Sequence, residues 1–548
     1  GLLAPFAVGT IDQALLAVMW VRHGTVRLWG LQGKVVVFDE IHSYDPYSAA
    51  LLTRLVEWLA ALDCTVVLLS ATLPVDRRRR LTDAFRSGLR RPATTPVRAA
   101  TASRRRKRGA GPLPASEAAL ASYPRVTIAD ASGVAQRSVA DDRPARIVQI
   151  RELAVPAEDA DRRVARRLLD AVEDGGCVGV VCNTVASAQA RFAALRTDAS
   201  ADVELRLLHA RQRPVERDAI ERRVLTRLGP PSDPRVDRPR RMIVVATQII
   251  EQSLDIDFDL LLSDLAPIDL LVQRAGRVHR HQRAGRPGPY ATACLELVDV
   301  EGDPAHREFL VASDRVYARS VLQRTRLALR GRATVTEPDD LDALIATVYD
   351  EERPRQATPA EDVALAAADA QDRDKAREQL DAADGVRGAL LPAPRSGTEP
   401  WNDQERVLPE PDDPRRFGDV RQDRGRYGTV VTTRWQERPS VPIVVLRADE
   451  LPSVRYRPDR IATRELLTRS VSLSQPAVVA PVLRDWQRVK AARRLRPASW
   501  AANAALRHHA LVELDVDGRA RPVETPDGTV RVPLRLDPDL GVIVETGR

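Results

Sequence analysis

Four short apolar runs in this chain each end in a polar cluster, and that pattern constrains the fold more than any other feature. Val35-Val36-Val37-Phe38 runs into Asp39-Glu40-Ile41-His42, and Val66-Val67-Leu68-Leu69 into Ser70-Ala71-Thr72. Ile243-Val244-Val245-Ala246 leads to Thr247-Gln248, and Leu260-Leu261-Leu262 precedes Gln273-Arg274-Ala275-Gly276-Arg277-Val278-His279-Arg280. A strand buried on both faces of a parallel sheet reads as a continuous apolar run. Ligands of such sheets bind beyond the carboxyl ends of the strands, where these clusters fall.

The helical patterns between the runs agree. Ile11 to Val21 reads as a buried helix, and Leu51, Leu52, Leu55, Leu59 and Leu62 repeat at helical spacing. Strand, helix and strand in that order make a parallel pair. The alternation resumes after residue 145. It predicts helices at Ala160–Val172, Ala186–Leu195 and Val215–Leu228, and strands at Val178–Val181, Glu204–Leu208, Met242–Ala246 and Leu260–Leu262. The expected fold class is α/β. Residues 1–95 form one part, 96–145 a basic connector and 146–330 a second α/β domain. A linker with a helix at 359–383 fills 331–440, and 441–548 form a small C-terminal domain. There, Val441–Leu446 and Val471–Leu483 read as β-like, with Trp486 and Trp500 as core.

Across 548 residues the formal net charge is +8. Residues 76–108 hold 13 basic and 2 acidic side chains, a net of +11, which leaves −3 for the rest. Concentrated positive charge suits a polyanion, though a solvated arginine-rich loop explains it as well. The four cysteines, Cys64, Cys177, Cys182 and Cys294, match neither zinc-site nor disulfide spacing. Cys177 and Cys182 bracket an apolar run and read as strand packing. No apolar stretch reaches about 18 residues, so no membrane span is expected, and the cysteines read plainly as reduced thiols of a cytoplasmic protein.

Nucleotide hydrolysis needs one carboxylate for a magnesium ion and a second group to orient water, and Asp39 and Glu40 can divide those tasks. Arg274, Arg277, Arg280, Arg283 and Arg286 recur every third residue, so several are expected on one helical face, with an anion to neutralise them. A basic surface helix is the plain alternative. His42 and His279 read as hydrogen-bonding bridges between motifs. Gly30-Leu31-Gln32-Gly33-Lys34 is too short for a phosphate loop and runs into a strand, so it reads as a turn.

These motifs resemble those of superfamily 2 DExH helicases. Val8-Gly9-Thr10-Ile11-Asp12-Gln13-Ala14-Leu15 and Ala246 to Asp257 narrow the resemblance to the CRISPR-associated helicase–nuclease of type I interference systems, the Cas-three family. Asp39 through Tyr47, Asn183-Thr184-Val185 and Leu207-Leu208-His209-Ala210-Arg211 fit it too. The resemblance implies tandem RecA-like domains using ATP and Mg²⁺. Asp39 holds the metal, and Glu40 orients water. His42, Ser70 and Thr72 couple hydrolysis to strand movement. Gln273, Arg277 and Arg280 reach the γ-phosphate, and Asp255 contacts the sugar or the arginines. Gly9, Thr10, Asn183, Thr184, Arg211 and Thr247 touch the DNA backbone. The implied partners are single-stranded DNA and an RNA-guided surveillance complex.

The family's HD nuclease and motif I lysine have no counterpart in these residues, so the first RecA-like domain is expected to be truncated and the chain alone inactive. Two rivals stay open: a different DExH helicase of repair or RNA metabolism, and a non-catalytic remnant that binds nucleic acid or a partner.

Overall fold

Apolar runs become strands and amphipathic stretches become helices along most of the chain. The computed structural model describes all residues except 1, 20–22, 42–45, 71–72, 90–122, 141–143, 252–253, 303–307, 311, 351–356, 388–393, 395–422, 425–429, 432–439, 453–454, 488–493, 504, 526–527 and 546–548. The chain divides into two units. The first is Gly1–Arg146, Thr336–Gln356 and Leu365–Trp435, and the second is Ile147–Val335, Ala357–Ala364 and Gln436–Arg548.

The first unit opens with α1 (Ile11–Leu15), a 3₁₀ turn at Leu16–Val18, and α2 (Gly24–Leu31). Strand β1 (Val35–Phe38), helix α3 (Pro46–Ala61), strand β2 (Thr65–Leu68) and helix α4 (Val75–Leu89) follow. β1 and β2 pair in parallel, Val36 opposite Val66. The leucines of α3 join Leu15, Leu16, Val18, Ile41 and Leu81 in one core. At Gly88 a Cβ would overlap the Glu57 carbonyl oxygen, so glycine lets α4 lie close against α3. Arg77 to Arg80 therefore stand on a helix rather than in a loop, with Arg78 donating to the Leu73 carbonyl. The Arg104–Arg108 run lies outside the described residues.

The connector holds more structure than its composition implies: β3 (Arg125–Ala129) and β4 (Val134–Ser138) form an antiparallel hairpin.

The second unit is built on β5 (Arg146–Val155), α5 (Ala160–Ala171), β6 (Gly176–Val181), α6 (Val185–Asp198), β7 (Glu204–Leu208) and α7 (Pro214–Leu228). It continues through β8 (Arg241–Ala246), β9 (Leu260–Asp264), α8 (Ile268–Ala275) and β10 (Cys294–Val300). Then come α9 (Ser313–Val316), α10 (Arg319–Leu329) and β11 (Thr334–Glu337). The sheet runs β11-β5-β10-β9-β6-β8-β7. From β5 to β7 each neighbouring pair is parallel. Every residue of β6, β9 and β10 is buried. That explains why β6 and β9 read as unbroken apolar runs.

Past the sheet lie α11 (Leu341–Tyr349) and α12 (Pro359–Arg387), then the two-residue strands β12 (Asp423–Arg424) and β13 (Val430–Val431). The C-terminal region has β14 (Val441–Leu446), α13 (Arg460–Leu467), β15 (Ser470–Leu473) and α14 (Pro476–Gln487). It ends with β16 (Ala510–Glu513), β17 (Val523–Thr525), β18 (Gly528–Val530), β19 (Leu534–Asp537) and β20 (Gly541–Val544).

The β-like reading of 471–483 is corrected here. The strand stops at Leu473, and Pro476 opens a helix, where a proline loses no hydrogen bond. Val478, Val479 and Val482 then share one buried helical face, so packing overrides the β-preference of valine. Trp500 is fully buried, and its indole donates to the Arg455 carbonyl at 2.9 Å.

Cys177 and Cys182 are buried at the two ends of β6, and burial pushes both thiols up to about 12. They pack as small apolar groups, without thiolate character. Among the described residues no helix is long and apolar enough to cross a membrane.

Candidate functional site

In the first unit the ends of β1 and β2 are tied together. Leu69 N donates to the Phe38 carbonyl at 2.9 Å, and Ile41 N donates to the Leu69 carbonyl at 3.3 Å. That pairing sets Asp39 and Glu40 beside Ser70 at adjacent strand ends. Both carboxylates are exposed. Glu40 has φ +55°, a left-handed conformation rare for a residue with a Cβ, and its N–H donates to Asp39 Oδ1 at 3.0 Å. Strained backbone of this kind clusters at active sites and switch regions, where the surrounding structure holds it in place. Gly9 and Thr10 are exposed just before α1, and the Thr10 side chain makes no cap bond there. His42 and Thr72 lie outside the described residues.

In the second unit, strand order gathers the candidates. Asn183 and Thr184 follow β6, Thr247 follows β8 and Arg211 follows β7, and these three strands are neighbours. Their environments differ. Asn183 is 3% exposed, and its amide nitrogen donates to the Leu265 carbonyl at 2.8 Å and to Ser313 Oγ at 3.0 Å. Its backbone N–H donates to Asp264 Oδ2 at 2.8 Å. Thr184 caps α6 by accepting from Ser187 N. Thr247 is buried. Arg211 is half-buried, burial lowers its pKa, and its guanidinium has no ion-pair or hydrogen-bond partner among the described residues.

The arginine series requires a correction. Helix α8 ends at Ala275, so only Arg274 is helical. The chain turns at Gly276, and His279 takes φ +48°. Phe258 N then donates to the Arg277 carbonyl, and His279 N donates to the Phe258 carbonyl, which extends the segment alongside Phe258. The arginines therefore share no helical face.

Their charges also have internal partners. Arg280 meets Asp255 at 2.6 Å, and Arg283 meets Asp257 at 2.7 Å. Arg286 reaches Asp257 at 2.8 Å and Asp259 at 2.6 Å. Asp255, Asp257 and Asp259 alternate along an extended stretch, and that spacing was the missed signal for this ladder. Burial would raise the Asp255 carboxyl, but the Arg280 hydrogen bond and nearby His281 hold it below its usual range.

Arg274 is fully buried. It donates to Glu251 at 2.7 Å and to Ser263 Oγ at 2.8 Å, and its other arm reaches the Tyr317 hydroxyl at 3.2 Å. Burial opposes its charge, but Glu251 outweighs that and raises its pKa. Arg277 is partly buried and donates to the Glu251 carbonyl at 2.6 Å and the Ile250 carbonyl at 3.3 Å. Gln273 is partly buried on the last turn of α8. Arg191 and Asp264, paired at 2.7 Å in full burial, complete a network the sequence reading did not find.

The parallel sheets with candidate polar side chains at their strand ends define the class by fold, as RecA-like α/β. A family model described as CRISPR-associated nuclease/helicase Cas3, C-terminal, matches residues 174–283. The CRISPR-associated endonuclease/helicase Cas3 of Thermus thermophilus is 38% identical over 394 residues, covering 64% of this chain and 38% of the relative. The Escherichia coli protein of that description is 33% identical over 356 residues, covering 64% of this chain and 36% of the relative. The crystal structure of T. fusca Cas3 with ATP superposes with a TM-score of 0.77 at 30% identity, covering 99% of this chain and 57% of that one. A CRISPR RNA-guided surveillance complex, pre-nicking, gives a TM-score of 0.70 at 29% identity, covering 99% of this chain and 61% of that one. Over these residues the chain is similar to CRISPR-associated nuclease/helicases of the Cas3 type. It spans little more than a third of the length of these curated relatives.

Proposed function

We propose that this chain is the motor portion of an ATP-dependent, single-strand DNA translocase that serves a type I CRISPR interference effector in the cytoplasm. One observation carries the reading: two tied strand ends present Asp39, a strained Glu40 and Ser70 together. The ATP complex of a relative with the same fold supports a nucleotide there.

The residues fit the group. An exposed Asp39 carboxylate can take one position of a magnesium ion whose other ligands are phosphate oxygens and waters. Bound, the ion neutralises the charge that develops on the transferred phosphoryl group. Glu40 accepts a hydrogen bond from the attacking water and orients it. Arg277 and Arg280 supply cationic N–H groups for the γ-phosphate, with Gln273 beside them on the preceding helix turn. Asp255 holds Arg280 in its rotamer. Ser70, with Thr72 and His42, links hydrolysis to movement.

On nucleic acid, Gly9, Thr10, Thr184, Arg211 and Thr247 contact backbone phosphates, and Asn183 holds the loop that carries Thr184. Contacts to phosphate without base readout suit a motor that must pass over any sequence. In this reading residues 146–330 are the second RecA-like domain and 441–548 the C-terminal domain. The RNA-guided surveillance complex delivers the strand, and an HD nuclease and, separately, the motif I phosphate loop of the first RecA-like domain complete the enzyme.

The test is displacement of streptavidin from biotinylated single strands by full-length protein with ATP and Mg²⁺. The resemblance implies 3′-to-5′ movement, so release from the 5′ end and not the 3′ end, abolished by Glu40→Gln, is expected. Release that Glu40→Gln leaves unchanged overturns the assignment.

A further inference from the structure

The turn between β19 and β20 rests on the loop after β7. Asp537 Oδ1 accepts from Asp539 N at 3.0 Å and Leu540 N at 2.9 Å, which folds the turn. The Leu540 carbonyl then receives two side chains: the Gln189 amide of α6 at 2.7 Å and His209 Nε2 at 3.1 Å. Val542 N donates to the Arg211 carbonyl at 3.0 Å. Gly541 has φ +67°, and a Cβ there would lie 3.0 Å from Gln212 Cγ and 3.2 Å from the Arg211 carbonyl oxygen. Glycine is what lets the turn seat this closely.

His209 relays the contact. Its Nδ1 accepts from Arg211 N at 3.1 Å, so the proton sits on Nε2, which donates to Leu540. Gln212 closes the loop by accepting from His209 N and donating to the Leu207 carbonyl. Farther back, buried Arg213 donates to the Val445 carbonyl at 3.0 Å and pairs with Glu450 at 2.6 Å, so the C-terminal region is joined to the same loop twice.

The one side chain of this loop left over is Arg211. Arg213 next to it is ion-paired, as are Arg191 and Arg274, while the Arg211 guanidinium has no partner among the described residues. A half-buried cation at the carboxyl end of a parallel sheet, its backbone clamped on both sides, is prepared for an anion from outside.

We propose that the Asp539–Gly541 turn of the C-terminal region, acting through His209 and Gln189, is a positioning element that sets Arg211 to take a nucleic-acid backbone phosphate. This rests on the reading of Arg211 as a DNA contact. It makes phosphate binding at the β7 end depend on the seating of the C-terminal region. Gln189 and Gly541 are positioning residues and touch no DNA themselves.

The experiment is anisotropy of a fluorescent oligo-dT with the full chain over a KCl series, using Arg211→Ala, Gly541→Val, Gln189→Ala and each of the latter two combined with Arg211→Ala. Arg211→Ala should weaken binding about 5–10-fold and reduce the salt slope by about 0.7, one phosphate's share. Gly541→Val and Gln189→Ala should each weaken binding by about 2–5-fold alone, and add nothing once Arg211 is gone. Gln189→Ala removes only an amide, so it decides the matter if Gly541→Val does not fold. Arg211→Ala binding like the parent overturns the contact and the positioning with it. A weakened Arg211→Ala beside unchanged Gly541→Val and Gln189→Ala overturns the positioning alone. Losses that add to that of Arg211→Ala overturn it too, since they show an effect that bypasses Arg211.

Discussion

Two parallel sheets with similar strand sequences have different fates in this molecule. Ile243 to Val245 in β8 are completely buried, with β6 on one edge and β7 on the other. Val35 and Val37 in β1 are 67% and 56% exposed, and among the described residues β1 and β2 have only each other. Valine content specifies a strand in both places. Burial is conferred by neighbouring strands and covering helices, and a parallel strand gains its stability from those neighbours. The second unit thus sets its candidate residues at the edge of a well-supported sheet, while the first holds Asp39 and Glu40 on a thin one.

Substitutions can break or sharpen that contrast. The largest stability loss should follow Arg274→Ala, which leaves the buried Glu251 carboxylate without its cation and costs about 3–5 kcal/mol. Urea unfolding of the second unit's transition measures it, and a loss below about 1 kcal/mol would mean that water reaches Glu251. Leu262→Ala in β9 should cost about 2–5 kcal/mol on the same readout, because a strand covered on both faces cannot close the cavity.

Acid should act on the same unit through His209, whose pKa burial lowers to about 4. The unfolded ring, near 6.5, binds protons that the folded one refuses. The stability contributed by neutral His209 is therefore complete above about pH 6.5 and is lost as pH falls from there toward 4, by at most about 3 kcal/mol. His209→Gln keeps the donor to Leu540 and should remove that part of the pH slope. An identical slope in the variant contradicts the assignment. The smallest change should be Val37→Thr in β1, within about 0.5 kcal/mol. A cost above about 2 kcal/mol would show that its face is covered and would erase the contrast.

Much of this was legible in the chain. The strand ends carrying Asp39, Thr247 and Asn183 follow from apolar runs of strand length, and the helices between them from leucine spacing. Strand β10 escaped because Glu296 and Asp299 interrupt its apolar run. Both are buried and held by Arg167 and Arg326, partners 129 and 27 residues away in sequence. Strand β5 escaped because an arginine- and glutamate-bearing strand near a sheet edge has no continuous apolar run. The arginine series misled because spacing by three fits a helix, while Gly276 ends that helix and the alternating aspartates fix an extended course. A local pattern could not reveal which charges would be neutralised from within.

The most direct measurement is DNA-stimulated ATP hydrolysis, made on the 548 residues alone and on full-length protein, each with its Glu40→Gln counterpart. The account predicts that the 548 residues alone turn over no faster than their counterpart. It predicts that full-length protein loses at least about 100-fold in kcat on the substitution, with single-strand affinity unchanged. Hydrolysis by the 548 residues alone that Glu40→Gln abolishes would contradict the need for a phosphate loop outside them. Full-length turnover indifferent to Glu40→Gln would contradict the site itself.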